Sequence, residues 1–282
     1  MAGASIYGMT AIEVHGLRKS YGGRDVVAGI DLQVAGGEVF ALLGPNGAGK
    51  TTTVEILEGH RRRDGGEVLV LGADPGRAGR RWRARIGVVL QTATDAADLT
   101  VAEMVRHVAG FYARPRPVAE VLSMVGLTEK AKSRIRTLSG GQRRRLDVAL
   151  GVVGRPEVLF LDEPTTGFDP EARRQFWELI RTITGEGTTI LLTTHYVDEA
   201  VALADRLAVI SAGVIVAEGT PASLGGRATA EATVTWAGRR ERTTDPDALV
   251  RRLVADGADL SSLTVTRPTL EDAYLTLIGD KK

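Results

Sequence analysis

Residues 44–51 read Gly44-Pro45-Asn46-Gly47-Ala48-Gly49-Lys50-Thr51, between an apolar run, Val39 to Leu43, and a helical stretch, Thr51 to Leu57, that Gly59 closes. The octapeptide fits the phosphate-loop pattern at every fixed position. Glycines at these places let the backbone fold tightly, so that successive N–H groups point at phosphate oxygens. The helix beginning at Lys50 adds the positive end of its dipole. Lys50 then neutralises β- and γ-phosphates, and the Thr51 hydroxyl offers a ligand to Mg²⁺. The alternative is an ordinary Gly-rich turn from strand to helix; the quality of both flanks favours the phosphate loop.

A second constellation lies about a hundred residues on. Val158-Leu159-Phe160-Leu161 is continuously apolar, as a strand buried on both faces should be, and it ends in Asp162-Glu163. Two acids there are costly unless a cation or a proton compensates them. Beside a phosphate loop, Asp162 is expected in the Mg²⁺ shell, and Glu163 is expected to polarise the attacking water.

Around these two stretches the chain reads as α/β: short apolar strands alternate with helical segments, the pattern of a largely parallel sheet covered by helices. Ala11 to Val14 and Val26 to Val34 form an expected antiparallel opening pair. Val68 to Leu71 and Ile86 to Leu90 are further strands. From Thr100 to Val153 the strand signal disappears. Thr100 with Glu103 makes a capping box, and helical patterns run to Tyr112 and from Val118 to Val125. This is a helical insertion, about residues 99–155. Strands resume at Thr188 to Leu192 and Leu207 to Ile210, the latter turning through Ala212-Gly213 into Val214 to Ala217. The composition turns polar after Pro221, and Gly225-Gly226 marks an expected boundary. The first domain is thus expected over 11–224 and a small α/β appendage over 228–282. The appendage has a strand near Thr233 to Trp236, a helix opened by Asp245-Pro246 and closed by Gly257, a strand at Leu263 to Thr266, and a last helix from Leu270.

Composition narrows the chemistry. At 282 residues and 43% hydrophobic, the chain can bury a sizeable core. It holds no cysteine, which excludes disulfides and thiolate metal sites, and its four histidines are scattered. Lysine stands only at 19, 50, 130, 132, 281 and 282, and the remaining cations are arginine, which points to a GC-rich bacterial genome. The runs Arg61-Arg62-Arg63 and Arg143-Arg144-Arg145 read as solvated surface; with a net charge of +1, no nucleic-acid partner is expected. The longest apolar runs are far too short to span a bilayer, and residues 1–10 read as a frayed leader rather than a signal peptide.

Leu138-Ser139-Gly140-Gly141-Gln142 precedes a helix through Leu146 to Val153. Ser139 with Gln142 is itself a capping box that would start any helix, yet two glycines at that start leave bare N–H groups, an open anion site. Here the chain resembles the ABC ATPases, P-loop NTPases whose signature motif is this string; the resemblance runs from about Ala11 to Leu224.

The resemblance implies roles position by position. Residues 44–51 and Thr52 would hold ATP, and Tyr21 would stack on adenine. Gln91 would touch Mg²⁺ and relay nucleotide state to the membrane subunit. Asp169, in Gly167-Phe168-Asp169-Pro170, matches the aspartate of the loop that crosses the dimer, and His195 matches the histidine that contacts the γ-phosphate. Phe168 departs from the family's usual Leu. One phosphate loop and one signature imply that a second copy or a close relative pairs head-to-tail, with two ATP molecules sandwiched and Ser139, Gly140, Gly141 and Gln142 closing over the partner's nucleotide. A separate membrane permease and a place at the cytoplasmic face of the membrane are implied with it.

The ending Arg267-Pro268-Thr269-Leu270-Glu271-Asp272-Ala273-Tyr274-Leu275 and the triplet Thr194-His195-Tyr196 are similar to ATPase subunits of bacterial exporters of the daunorubicin/doxorubicin-resistance type. The competing reading is a non-transport ABC ATPase acting as a soluble ATP-gated switch. Against it stand the missing coiled coil of repair types, the missing second cassette of translation types, and the presence of Glu163 and His195.

Overall fold

The computed structural model describes residues 10–89, 98–226 and 230–279. The chain opens with β1 (Thr10–Tyr21) and β2 (Arg24–Ala35), then runs through β3 (Val39–Leu43), α1 (Lys50–Leu57), β4 (Gly65–Val70), α2 (Arg80–Arg83) and β5 (Ile86–Val89). Helices α3 (Val101–Ala109), α4 (Val118–Met124) and α5 (Gly140–Val152) follow with no strand between them. Next come β6 (Val158–Asp162), α6 (Pro170–Gly185), β7 (Thr189–Thr194), α7 (Val197–Leu203), β8 (Arg206–Ser211) and β9 (Val214–Gly219). The remainder holds β10 (Ala232–Trp236), β11 (Arg239–Thr243), α8 (Pro246–Ala255), β12 (Thr264–Thr266) and α9 (Leu270–Gly279).

A six-stranded sheet runs in the order β5-β6-β7-β3-β8-β9, and its pairs from β5 to β8 are parallel. Every residue of β3, β6 and β7 is buried, as strands covered on both faces require. A second sheet, β2-β1-β4, is antiparallel, and its first hairpin turns through Gly22-Gly23, both at positive φ. Helix α1 joins the two sheets in one core: Ile12, Ile30, Phe40, Leu42, Ile56, Leu57 and Phe160 belong to a single buried cluster. Each such side chain stabilises the fold by about 1.5–3 kcal/mol.

The helical insertion starts where local chemistry dictates. The Thr100 hydroxyl accepts from the Glu103 N–H at 3.3 Å, and the Glu103 carboxylate accepts from the Thr100 N–H at 2.8 Å. Ser139 and Gln142 make the same reciprocal pair at the head of α5.

The chain divides into two compact units, Met1–Val216 and Ala217–Lys282. This division falls ahead of the polar stretch marked in the sequence, because the Leu224–Gly226 turn packs on α9, with the Cβ position of Gly225 only 3.1 Å from Ala273. The second unit has its own core of Val234, Trp236, Leu249 and Leu253, with α8 packed on β10. Among the described residues, no helix is long and apolar enough to cross a membrane.

If the second unit is held by that small core, Leu249→Ala should destabilise it by about 2–5 kcal/mol. Hydrogen exchange on the full chain should then show β10 and α8 losing protection while β3 and β6 keep theirs. Equal loss in both regions would mean that the two units unfold together.

Candidate nucleotide-binding and catalytic site

The phosphate loop leaves β3 and is anchored at once: the Gly44 N–H donates to the Thr194 carbonyl at 3.2 Å, and the Gly213 N–H donates to the Ala48 carbonyl at 3.1 Å. Two of its glycines are dictated by space. A Cβ at Gly44 would lie 2.4 Å from the Ile210 carbonyl oxygen, and one at Gly49, where φ is 106°, would lie 2.5 Å from that of Val26. Gly49 is also the N-cap of α1, so no side chain satisfies the first N–H groups of that helix, and its first turn contains no acid. Those amides are free to meet an anion.

Lys50 lies under the loop, 4% exposed. Its ammonium donates to the carbonyls of Gly44 at 2.8 Å and Pro45 at 3.2 Å, and it pairs with Glu163 Oε1 at 3.2 Å. An open cavity of about 310 Å³ is lined by Val26, Asn46, Gly47, Gly49, Lys50, Thr51, Thr52 and Glu163.

Asp162 ends β6 opposite Thr193 of β7, whose hydroxyl donates to it. The Thr51 hydroxyl reaches Asp162 Oδ2 at 3.2 Å from α1. Glu163, the next residue, adopts φ 44°, a left-handed conformation uncommon for a residue with a side chain. Its N–H is held by the Thr193 hydroxyl at 3.0 Å and by the Thr193 carbonyl at 3.2 Å. The turn aims the carboxylate between Lys50 and His195, whose Nδ1 lies 3.4 Å from Glu163 Oε2. Burial pushes this carboxyl up, but Lys50 and His195 outweigh it, and the net displacement is downward: Glu163 stays ionised.

The structure therefore gathers the phosphate loop, Thr51, Thr52, Asp162, Glu163 and His195 into one place. Other expected residues lie elsewhere. Ser139, Gly140, Gly141 and Gln142 form the exposed and half-exposed start of α5, and Asp169 caps α6 by accepting from the N–H groups of Glu171 and Ala172. Tyr21 stands at the tip of β1, 41% exposed, with the Arg61 guanidinium 5.4 Å from its ring, and it does not line the cavity. Gln91 falls outside the described residues.

Two contributors are absent from the sequence-based expectation. Thr193 is one; its signal is a hydroxyl at the end of an apolar strand. Arg144 is the other, and it corrects the reading of its run as solvated surface. It is buried and donates to the carbonyls of Asp162 at 2.9 Å and Pro164 at 3.0 Å. Its signal is helical spacing: Arg144 lies one turn before Val148 on the buried face of α5.

Comparison with known proteins gives the family. Residues 27–166 match the family described as ABC transporter. A daunorubicin resistance ATP-binding protein of Streptomyces coeruleorubidus is 38% identical, over 97% of this chain and 97% of that protein. A Nod factor export ATP-binding protein of Paraburkholderia xenovorans is 46% identical, over 76% of this chain and 72% of that protein. Among solved structures, cbiO1 of Clostridium perfringens, part of an ABC transporter complex, superposes with a TM-score of 0.68 at 28% identity, covering 76% of this chain and 90% of that one. With a phosphate loop in contact with a strand-end acid pair, a histidine beside that pair, and relatives at this identity over nearly its whole length, the chain belongs to the ABC transporter family and is an ABC-type ATPase.

Proposed function

We propose that this subunit drives an exporter by hydrolysing ATP in a composite site shared by two ATPase subunits, on behalf of a separate membrane permease at the cytoplasmic face of the membrane. The observation that carries the proposal is a split. The phosphate loop and Glu163 line one cavity, with Asp162 bonded to Thr51 and His195 beside Glu163, whereas the signature segment and Asp169 are turned to solvent at the starts of α5 and α6. A second subunit placed head-to-tail would bring its Ser139, Gly140, Gly141, Gln142 and Asp169 to the open side of that cavity. Export is supported by the names of relatives that confer daunorubicin resistance or export Nod factor. The pair could be two copies of this chain or this chain with a relative.

In this reading Lys50 and the loop amides hold the β- and γ-phosphates, and the exposed Tyr21 ring offers a stacking surface to adenine. Thr51 and Asp162 suit a small hard cation: two oxygen-bearing side chains within 3.2 Å leave the other positions to phosphate and water, the usual arrangement for Mg²⁺. Among the described residues no group of three His, Cys, Asp or Glu competes for such an ion. Bound there, Mg²⁺ would neutralise charge on the phosphates. Gln91 would complete the shell. Glu163 takes the proton of the attacking water, and its ionised state suits that task. His195, beside it, faces the γ-phosphate. ATP binds the closed pair better than the open subunits, which gives a ligand the differential affinity it needs to drive closure.

Lys50→Ala should weaken ATP binding at least tenfold, about 1.4 kcal/mol, with the circular dichroism spectrum unchanged. An affinity within about threefold of the parent would remove the loop assignment.

Glu163→Gln keeps the shape of the side chain but cannot accept the proton, so turnover should fall by orders of magnitude while ATP still binds. Because hydrolysis is what dissolves the pair, this variant should run as a dimer with ATP in size-exclusion chromatography with light scattering. Adding Ser139→Arg should return it to monomer. Undiminished turnover would strip Glu163 of its role, and a dimer indifferent to both ATP and Ser139→Arg would end the composite-site reading.

A further inference from the structure

Tyr196 follows His195 and is not used by the chemistry above, yet its ring is the histidine's nearest aromatic neighbour. The two ring centroids are 4.0 Å apart, with planes tilted by 40°. The Arg173 guanidinium carbon lies 4.6 Å from the centroid of the same Tyr196 ring, within the range of a cation–π contact. Arg173 belongs to the first turns of α6, and its N–H donates to the carbonyl of Asp169, the residue that caps the helix, at 3.0 Å.

A buried acid stands in the same region. Glu199, on α7, is 0% exposed, and a carboxylate so enclosed must be compensated by donors or positive charge. Around it stand Thr165, Thr194, Trp177 and Arg173, from three segments, but neither Glu199 carboxylate oxygen makes a hydrogen bond among the described residues. Thr165 lies two residues beyond Glu163, Trp177 and Arg173 lie on α6, and Thr194 ends β7. Burial pushes the Glu199 carboxyl up, and these neighbours oppose that displacement. Arg173 thus carries its charge near an enclosed acid, and its guanidinium meets the Tyr196 ring.

We propose that Tyr196 is a positioning residue for His195: held by the Arg173 guanidinium, it sets the plane of the imidazole beside Glu163 and ties that plane to the start of α6. The helix start that carries Asp169 and the histidine are then one mechanical piece, so a displacement of α6 reaches His195 through two ring contacts. The tyrosine hydroxyl plays no part in this; the aromatic face does all of it. The proposal rests on the reading of His195 as a member of the hydrolytic site.

The test uses the full chain, with ATP turnover and the ring NMR signals of His195 recorded in parallel and urea midpoints as the control for folding. The His195 signals are assigned by their loss in His195→Gln. Tyr196→Phe should retain turnover within about twofold and leave the ring signals in place. Tyr196→Ala and Arg173→Met should each lower kcat at least tenfold, with the KM for ATP within about threefold, and should shift the His195 signals. The double variant should be no worse than the poorer single one, because both changes cut the same link. If Tyr196→Ala also lowers the urea midpoint, Arg173→Met decides, since that side chain is half-exposed. Unmoved His195 signals in both variants, or loss of activity in Tyr196→Phe equal to that in Tyr196→Ala, would overturn the proposal. Full turnover in His195→Gln would instead overturn the underlying reading of the site, and the NMR shifts would still report on the ring contacts.

Discussion

A carboxylate that leaves a strand buried on both faces has to be met by donors or by a cation, and at Asp162 that demand organises everything nearby. Thr193 answers it from β7, and Thr51 from α1. Arg144 of α5 takes the backbone carbonyl of the same residue. Three elements distant in sequence are thereby registered on one residue. The strand order then does the rest. Because β7 lies between β6 and β3, the ends of all three strands open at one edge of the sheet, the usual place for a ligand in an open α/β fold. The phosphate loop follows β3, Glu163 follows β6 and His195 follows β7, so adjacency in the sheet becomes adjacency in the site.

The same constraint explains the strained residue beside it. Once Asp162 is fixed, the chain must turn sharply to bring the next carboxylate back over the phosphate loop, and the left-handed φ of Glu163 is how it does so. Such a conformation costs about 1–3 kcal/mol and persists only where its surroundings over-determine it. Here the Glu163 N–H is held by both oxygens of Thr193, and the carboxylate is paired with Lys50 and lies beside His195.

What could be read in advance followed from local rules. The phosphate loop, the β6 run and the two capping boxes each declare themselves within eight residues or fewer, because backbone geometry and hydrogen-bond supply are local there. Features set by distant partners were less legible. Arg239 to Thr243 is wholly charged or polar and looks like a loop; it is a strand because Trp236 and its neighbours in β10 supply the ladder across the Ala237-Gly238 turn. Helix α6 carries its own signal, an Asp cap followed by Pro, but α7 is short and has no side-chain cap at all. Arg144 was obscured by its two neighbours, since three arginines in a row look equally solvated until helical spacing separates them.

The glycines make a last distinction between what this chain needs for itself and what it needs for a partner. Gly44 and Gly49 are required from within: a Cβ at either would strike backbone oxygen. Gly140 is different. Nothing lies within 4 Å of where its Cβ would be, and its φ is not in the left-handed region, so neither packing nor conformation in this subunit calls for glycine. Its helix is already capped, Ser139 and Gln142 having satisfied each other's N–H groups, which leaves the amides of Gly140 and Gly141 unspent on an exposed surface. A residue that is costly in a helix and unneeded by its own fold is accounted for if something outside the subunit must approach that backbone closely. On the proposed reading that visitor is the γ-phosphate held by the other subunit's Lys50, and the bare helix start is shaped for a ligand this chain cannot reach alone.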